Sequence, residues 1–445
     1  MKNDPIKEQK SFYLVALGCP KNLVDSGVLS GGLLSAGWGI TFDPQDADLY
    51  LINTCAFIPA ARAEAKAEID AALAWKAECS GREVAVCGCL TGYSDTVKEE
   101  FPGVDHWLGV DDIAHAAEIV SGTKGSSTGK CYLHDENTPV LQLTLPHISY
   151  IKIADGCNNR CSYCAIPRLR GDLRSRPESS VLAEVRMAVA NGVREVVLVA
   201  QDITVFGADR PESGETLAKL LQKIDDIEGD FCVRLLYTHP AHYTDELIRV
   251  IAESKKVLHY LDMPLQHISD RLLKAMNRHI DRKGIEELLG KLRKAIPDLV
   301  LRTTFITGLP GETQEEFEEL ESFIKTWKFE RMGVFPYAPE PGTPAAAMPD
   351  QIPAETAEER ATKLMKSQIA RMKRRSRTLE GTRCRVLIDQ IEDGTAIARG
   401  AWDAPDIDNV ILFNAGRSCV GEFADVVITG ISGCDLTARK TRGKK

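Results

Sequence analysis

Three cysteines stand at C-x-x-x-C-x-x-C spacing in the segment Gly156-Cys157-Asn158-Asn159-Arg160-Cys161-Ser162-Tyr163-Cys164. Thiolates are the soft ligands of iron–sulfur clusters, and three of them hold a cubane cluster while leaving its fourth iron open. A cluster that only carries electrons is normally closed by four protein thiolates, so an open iron points to chemistry on a bound small molecule. A tight disulfide or a zinc knuckle fits poorly: a closed structural zinc site takes four ligands, and no fourth Cys or His lies nearby.

A second incomplete set is spread along the N-terminal part. The apolar runs Phe12 to Leu17, Leu49 to Ile52 and Val84 to Val86 alternate with helical patterns, among them an Ala-rich stretch from about Ala60 to Ala77. That alternation is the grammar of βαβ units. Each run is followed by a cysteine, in Leu17-Gly18-Cys19, Asn53-Thr54-Cys55 and Cys87-Gly88-Cys89. Strand carboxyl ends share one edge of a parallel sheet, where ligands bind, so Cys19, Cys55 and Cys89 can meet although 36 and 34 residues separate them. One strand-end cysteine is usually packing; three equivalent ones read as a metal-ligand set. Cys87 competes with Cys89 for the third place, since both fall on the same side of an extended strand. Cys89 is preferred because Gly88-Cys89 repeats Gly18-Cys19. Cys79, Cys131, Cys232, Cys384, Cys419 and Cys434 have no partner spacing and are expected to be structural.

The elements that must position the first set begin near Ile148. Strand-like runs at Tyr150 to Ala154, Glu195 to Ala200, Val233 to Tyr237, Val257 to Met263, Leu299 to Ile306 and Met332 to Tyr337 alternate with helical patterns. Six βα units predict a parallel, partly closed barrel with its active site on the carboxyl edge of the strands, and the Cys157 loop follows the first of them. Repeated proline between Pro336 and Pro353 ends this region. A helical pattern then runs from about Ala354 to Arg377, with Lys373, Arg374, Arg375 and Arg377 near its end, where the helix dipole favours positive charge. Short β runs at Arg385 to Ile391, Thr395 to Arg399, Val410 to Phe413 and Phe423 to Ile431, with the hairpin signal Asp393-Gly394, predict a small antiparallel barrel. Ser121 to Gly129 is glycine- and serine-rich and reads as a flexible connector.

At 445 residues the chain exceeds one ordinary core. Its 44% hydrophobic and 27% charged residues are those of a soluble globular protein. No apolar run is long enough to cross a bilayer, and Met1 to Lys10 is too polar for a secretory signal. The 13 cysteines are therefore read as ligands or buried thiols in a reducing, cytoplasmic compartment. The net charge of −9 argues against a surface that grips nucleic acid everywhere. Between Thr378 and Leu436 four arginines face ten acidic residues, a balance that repels RNA phosphate and attracts a basic protein.

The nonapeptide around Cys157 resembles the cluster motif of the radical S-adenosylmethionine enzymes. Nearly the whole chain resembles one group of them, the methylthiotransferases, which join an N-terminal three-cysteine domain, a radical S-adenosylmethionine barrel and a C-terminal TRAM barrel. The resemblance is to the branch acting on an aspartate of a ribosomal small-subunit protein. It is carried by Leu17-Gly18-Cys19-Pro20-Lys21-Asn22-Leu23-Val24-Asp25-Ser26, by Asp262-Met263-Pro264-Leu265-Gln266-His267 and by Asp403-Ala404-Pro405-Asp406-Ile407-Asp408. Gly27 departs from the family, which usually carries Glu there. The expected architecture is α/β: a parallel α/β cluster-binding domain at 11–125, a partial (β/α)6 radical S-adenosylmethionine domain at 143–375, and an OB-like TRAM domain at 378–440.

The resemblance implies two [4Fe-4S] clusters, on Cys157, Cys161 and Cys164 and on Cys19, Cys55 and Cys89, with S-adenosylmethionine as the second cofactor. The first cluster would reduce S-adenosylmethionine to a 5′-deoxyadenosyl radical, the second would deliver sulfur, and a further S-adenosylmethionine would supply the methyl group. Further expectations fall on Gly308, Gly311 and Glu312, whose turn would approach the nucleoside part of the cofactor or simply cap a helix. Gln201 and Asp202, past the second strand, would contact cofactor. Arg168, Arg170, Arg174 and Arg176 would form a solvated face or serve a carboxylate of cofactor or substrate. No catalytic residue is assigned beyond the cluster ligands. Implied partners are a basic ribosomal small-subunit protein, free or in the ribosome, a flavodoxin-like electron donor and a sulfur donor, with tRNA the lesser expectation and no membrane. The expected activity is methylthiolation of the β-carbon of an aspartyl residue in ribosomal small-subunit protein twelve. The alternatives are tRNA adenosine methylthiolation, and a non-catalytic iron–sulfur scaffold or electron carrier.

Overall fold

The structure, a computed structural model, describes residues 9–94, 96–126 and 132–441. Cys131, positions 127–129 of the connector and most of the Met1 to Lys10 stretch lie outside them. The chain divides into two compact units. One holds the residues up to Leu143 with Ala154–Asn158 and Ala165–Val181; the other holds Thr144–Ile153, Asn159–Cys164 and the chain from Leu182 onward.

The first unit is built on a parallel sheet in the order Gly39–Thr41, Ser11–Ala16, Leu49–Thr54, Glu83–Gly88, His106–Trp107. Leu49–Thr54 is buried at every position, as a central parallel strand covered on both faces must be. Tyr50, Ile52, Val84 and Val86 pack against Ala65, Ile69, Ala72 and Trp75 of the helix Pro59–Glu78. Leu49, Leu51, Ala85 and Cys87 face Val28, Leu29 and Leu33 of the helix Pro20–Ser35. Cys89 belongs to the former face and Cys87 to the latter. The expectation that the two share a side is corrected here: Gly88 turns left-handed, with φ 95°, and breaks the two-residue alternation.

In the second unit six parallel strands follow chain order: Ile148–Lys152, Glu195–Val199, Cys232–Leu235, Val257–Asp262, Val300–Thr307 and Arg331–Pro336. All six expected runs are strands. The helices between them follow from local signals; Gln314–Trp327, for example, begins with a capping box of Thr313 and Glu316. The helix Ala354–Thr378 leads into a closed barrel of Arg383–Glu392, Thr395–Gly400, Ile411–Asn414, Phe423–Ser432 and Asp435–Lys440. Asp393 and Gly394 both have positive φ, 47° and 77°, as a two-residue hairpin of the primed type requires. The last strand was not anticipated, because Asp435-Leu436-Thr437-Ala438-Arg439-Lys440 carries too little apolar alternation to signal one.

The small barrel is fastened to the amino end of the parallel strands by buried charge. Glu195, the first residue of its strand, is held by Arg234 at 2.6 Å and Arg399 at 2.7 Å. Burial alone would push its carboxyl up, yet the two guanidinium groups hold it below the usual carboxylate range. Asp408 accepts from Tyr260 Oη at 2.7 Å and Arg302 Nη1 at 2.9 Å, and Arg331 pairs with Asp403. Asp389 takes Arg399 at 2.5 Å and His147 at 2.9 Å. Three of the ten acidic residues counted for this segment are thus spent internally, so the bare sequence count overstates the negative field the barrel offers a partner.

Candidate metal centres

In the first unit, Cys19, Cys55 and Cys89 each follow one of three adjacent strands. Gly18 and Gly88 are both left-handed, with φ 91° and 95°. A Cβ on Gly18 would lie 2.5 Å from Cys55 Cβ and 2.9 Å from its Sγ, and one on Gly88 would collide with Thr54 and Asn53. The two Gly-Cys turns therefore close onto the end of the central strand from either side. The thiols feel one another: Cys55 is pushed up to about 11, first by burial and further by the negative charge of Cys89 and Cys19. Cys89 is also raised by burial, and Arg170 opposes the shift. Cys19 caps the helix Pro20–Ser35, whose amino end favours an anionic ligand. Cys87 is fully buried, and its neighbouring charges are Asp25, Arg170 and Asp112 rather than the other thiols.

Asn22 and Arg170 organise this cluster of thiols. Asn22 Nδ2 donates to the carbonyls of Leu17, Asn53 and Thr54 at 2.6, 3.2 and 3.3 Å, tying two strand ends together. Its Oδ1 accepts from Arg170 Nη2 at 3.1 Å. Arg170 is buried and serves carboxylates of the protein itself, Asp25 and Asp155, rather than a solvated face. Arg176 is buried against His134 and Ser180, Arg168 stacks over Tyr93 at 5.1 Å, and Arg174 is exposed. The segment Pro139 to Leu141 lies directly on the helix Pro20–Ser35. A Cβ on Gly27 would come within 2.6 Å of Leu141 O, and one on Gly31 would collide with Pro139 O. The space beside Gly27 is filled by this backbone.

Cys157 belongs to the first unit, where its N–H donates to Gly171 O at 3.2 Å. Cys161 and Cys164 belong to the second, in the loop after its first strand. Cys164 N–H donates to Cys161 O at 3.0 Å, and Arg278 Nη1 lies 3.5 Å from Cys161 Sγ. Asn277 and His279 both reach Asn159 O, at 3.2 and 3.1 Å. Asn159 Nδ2 donates to Asp202 Oδ2 at 2.8 Å, while its Oδ1 takes His242 Nε2 at 2.6 Å. Asp202 Oδ1 accepts from Thr204 N–H at 3.0 Å, so both carboxylate oxygens are engaged within the protein. Gln201 stands beside it, half-buried at the strand end.

Asp202, His239 and His242 bring one ligand atom each within 4.8 Å of the others. Their hydrogen bonds disfavour a metal there. His239 Nδ1 accepts from Ala241 N–H at 3.2 Å, which places the neutral ring's proton on Nε2, the atom a metal would need bare. His239 Nε2 is buried with no partner among the described residues. The same holds for Ser162 Oγ, Gln266 Oε1 and Tyr337 Oη. These four residues follow the first, third, fourth and sixth strands, on the edge where a parallel barrel binds ligands. Unsatisfied buried polar atoms are costly, and four around one edge suit a polar ligand such as S-adenosylmethionine.

Gly308, Gly311 and Glu312 find partners inside the protein. Glu312 accepts the Gly308 N–H, meets Arg360 of the long helix at 3.3 Å and lies 3.7 Å from His267. A Cβ on Gly308 would collide with Ala357 of the same helix, and Gly311 N–H donates to Asp350 O at 2.8 Å. Sequence reasoning missed His239, His242 and Arg278; Asn159, Ser162 and Gln266 stood within quoted motifs but were given no role.

Residues 11–109 match the uncharacterized protein family UPF0004, residues 151–324 the radical SAM superfamily, and residues 381–440 the TRAM domain. The chain is 42% identical to the ribosomal protein uS12 methylthiotransferase RimO of Akkermansia muciniphila, over 96% of this chain and 98% of that one. It is 42% identical to the protein of the same name from Geobacter sulfurreducens, again over 96% and 98%. Among solved structures, the radical S-adenosylmethionine methyltransferase TsrM from Kitasatospora setae superposes with a TM-score of 0.55 at 15% identity, over 76% of this chain and 77% of that one. The cobalamin-dependent S-adenosylmethionine radical enzyme OxsB gives 0.53 at 11% identity, over 81% and 56%. The two likenesses show the fold. Among the described residues no helix is long and apolar enough to cross a membrane.

Proposed function

The chain belongs to the ribosomal protein uS12 methylthiotransferase family, and from that premise we propose that it methylthiolates the β-carbon of an aspartyl residue of uS12 in the cytoplasm. The observation that carries the reading is the convergence of Cys19, Cys55 and Cys89 in a chain that also has the Cys157, Cys161 and Cys164 motif. A radical enzyme that only abstracts hydrogen has no use for a second incomplete thiol set.

Cys157, Cys161 and Cys164 would hold one [4Fe-4S] cluster, and Cys19, Cys55 and Cys89 the other. When bound, the first cluster with S-adenosylmethionine supplies a carbon-centred radical, and the second supplies sulfur. The chain's own part is to bind, orient and exclude water. Ser162, His239, Gln266 and Tyr337 offer buried polar atoms to the cofactor or substrate at the strand ends. His239 Nε2–H is a donor suited to a carboxylate or carbonyl. Asn159, held by Asp202, His242, Asn277 and His279, fixes the path of the cysteine loop. The target hydrogen is on an unactivated carbon, and no side chain here has the basicity to remove it as a proton. The electron donor, of flavodoxin-like type, and the sulfur donor act from outside the chain.

Mass spectrometry of ribosomal proteins and tRNA nucleosides, from cells with and without the gene, tests the reading. One methylthio group on an aspartate of uS12, present only with the gene, is expected. Methylthio-adenosine in tRNA with unmodified uS12 would contradict it.

A further inference from the structure

We propose that Arg170 is a positioning residue for the N-terminal cluster, giving the sulfur of Cys89 a hydrogen bond and a neighbouring positive charge. The inference rests on the functional reading above, since it takes Cys89 to be a cluster ligand. Arg170 Nε lies 3.2 Å from Cys89 Sγ. The guanidinium is 2% exposed and cannot turn away. Nη1 donates to Asp25 Oδ2 at 2.6 Å and Asp155 Oδ2 at 3.2 Å, and Nη2 donates to Asn22 Oδ1 at 3.1 Å. With those three acceptors buried, the planar fork is locked and its Nε–H is aimed at one thiol.

Two observations separate this from ordinary packing. Cys89 belongs to a buried apolar cluster that also holds Ala56, Leu90, Ala165 and Leu169, where a buried ion network gives no packing advantage over hydrophobic side chains. The arrangement also recurs: Arg278 Nη1 approaches Cys161 Sγ, of the other thiol set, at 3.5 Å. Among the described residues, no side chain donates to the sulfurs of Cys79, Cys87 or Cys232, whose thiols turn to backbone carbonyls. An arginine at a cysteine sulfur is therefore a feature of the two candidate ligand sets.

A donor and a positive charge at a ligand sulfur stabilise the reduced, more negative state of a cluster and raise its potential. Asp25 and Asp155 act in the opposite sense. Their placement gives predictions of opposite sign. Replacing Cys157, Cys161 and Cys164 by Ala in the full chain leaves the N-terminal set alone, and anaerobic reconstitution followed by a redox titration read by electron paramagnetic resonance measures that cluster. In this background R170Q is expected to lower the reduced-to-oxidised ratio at a fixed potential about tenfold, or about 59 mV for a one-electron couple. R170K, which keeps the charge, should lower it less, and D25N should raise it. D25N is isosteric and carries the test if R170Q does not fold. An unchanged midpoint and line shape in both R170K and D25N, at full cluster content, would overturn the role of Arg170 alone. A parent with Cys19, Cys55 and Cys89 intact that assembles no cluster would overturn this inference and the functional reading together.

Discussion

Asn159 Nδ2 donates to Asp202 Oδ2 at 2.8 Å, so a residue between the first two cysteines of the C-x-x-x-C-x-x-C segment is anchored to the end of the second barrel strand. His242 completes the anchor from the loop after the third strand, at 2.6 Å from Asn159 Oδ1. Positioning of the cysteine loop thus depends on polar contacts from several strand ends, and each can be broken singly.

Asn159→Leu removes both contacts and leaves the buried Asp202 with one fewer donor. A lost charge-assisted hydrogen bond of about 1.5–3 kcal/mol corresponds to a fall of about tenfold or more in reductive cleavage of S-adenosylmethionine. Formation of 5′-deoxyadenosine, normalised to iron and sulfide content, measures it. Unchanged cleavage would show that the cysteines hold their loop unaided.

Gly27→Glu should destabilise this chain. The new side chain meets Leu141 O and Val140, and displacing a packed segment costs about 1–3 kcal/mol. The expected result is a lower midpoint in denaturant and faster proteolytic cleavage near Val140. Equal stability would mean that the Pro139 to Leu141 contact is dispensable.

Arg399→Met leaves Glu195 with Arg234 as its remaining partner and Asp389 with His147. Breaking a buried charge network from one side costs about 3–5 kcal/mol. Urea unfolding should detect a loss of that order, with the C-terminal barrel releasing first. A loss below about 1 kcal/mol would place the network among weakly contributing ion pairs.

Glu316 is held down to about 2: burial would raise its pKa, but Arg271, Ser269 and the Thr313 N–H favour the carboxylate more strongly. A depressed carboxyl stabilises the fold above its ordinary pKa, near 4.5, and loses that contribution as pH falls toward 2. Glu316→Gln should therefore be less stable than the parent at pH 7 by about 1 kcal/mol, the usual worth of a helix cap. The difference should close as pH falls from 4.5 toward 2. A pH-independent difference would assign the loss to packing.

What could be read in the sequence was local or repeated. The Cys157 motif, the six strand runs and the Asp393-Gly394 turn each announce themselves within a few residues, and the N-terminal thiol set shows as a strand-end cysteine repeated three times. The arrangement around Asn159 could not be read, because Asp202, His242 and Asn277 come from loops distant in the chain. Arg170 was visible only as one charge in a basic run, and its burial against Asp25 depends on how the elements fold together. Asp389, Asp403 and Asp408 were counted as surface charge for the same reason; a sequence lists charges without saying which are neutralised. Gly308 follows a strand, as an active-edge glycine would, yet its space is taken by Ala357, far along the chain in the long helix.

Under the proposed function the two thiol sets have different tasks, and one comparison tests that division. Cys19→Ala and Cys157→Ala proteins, reconstituted anaerobically and supplied with reductant, S-adenosylmethionine, sulfide and uS12, are assayed together for 5′-deoxyadenosine and for methylthio-aspartate. Cys19→Ala should still cleave S-adenosylmethionine and yield no methylthiolated product, and Cys157→Ala should do neither. Methylthiolation by Cys19→Ala at the parent rate would contradict the account.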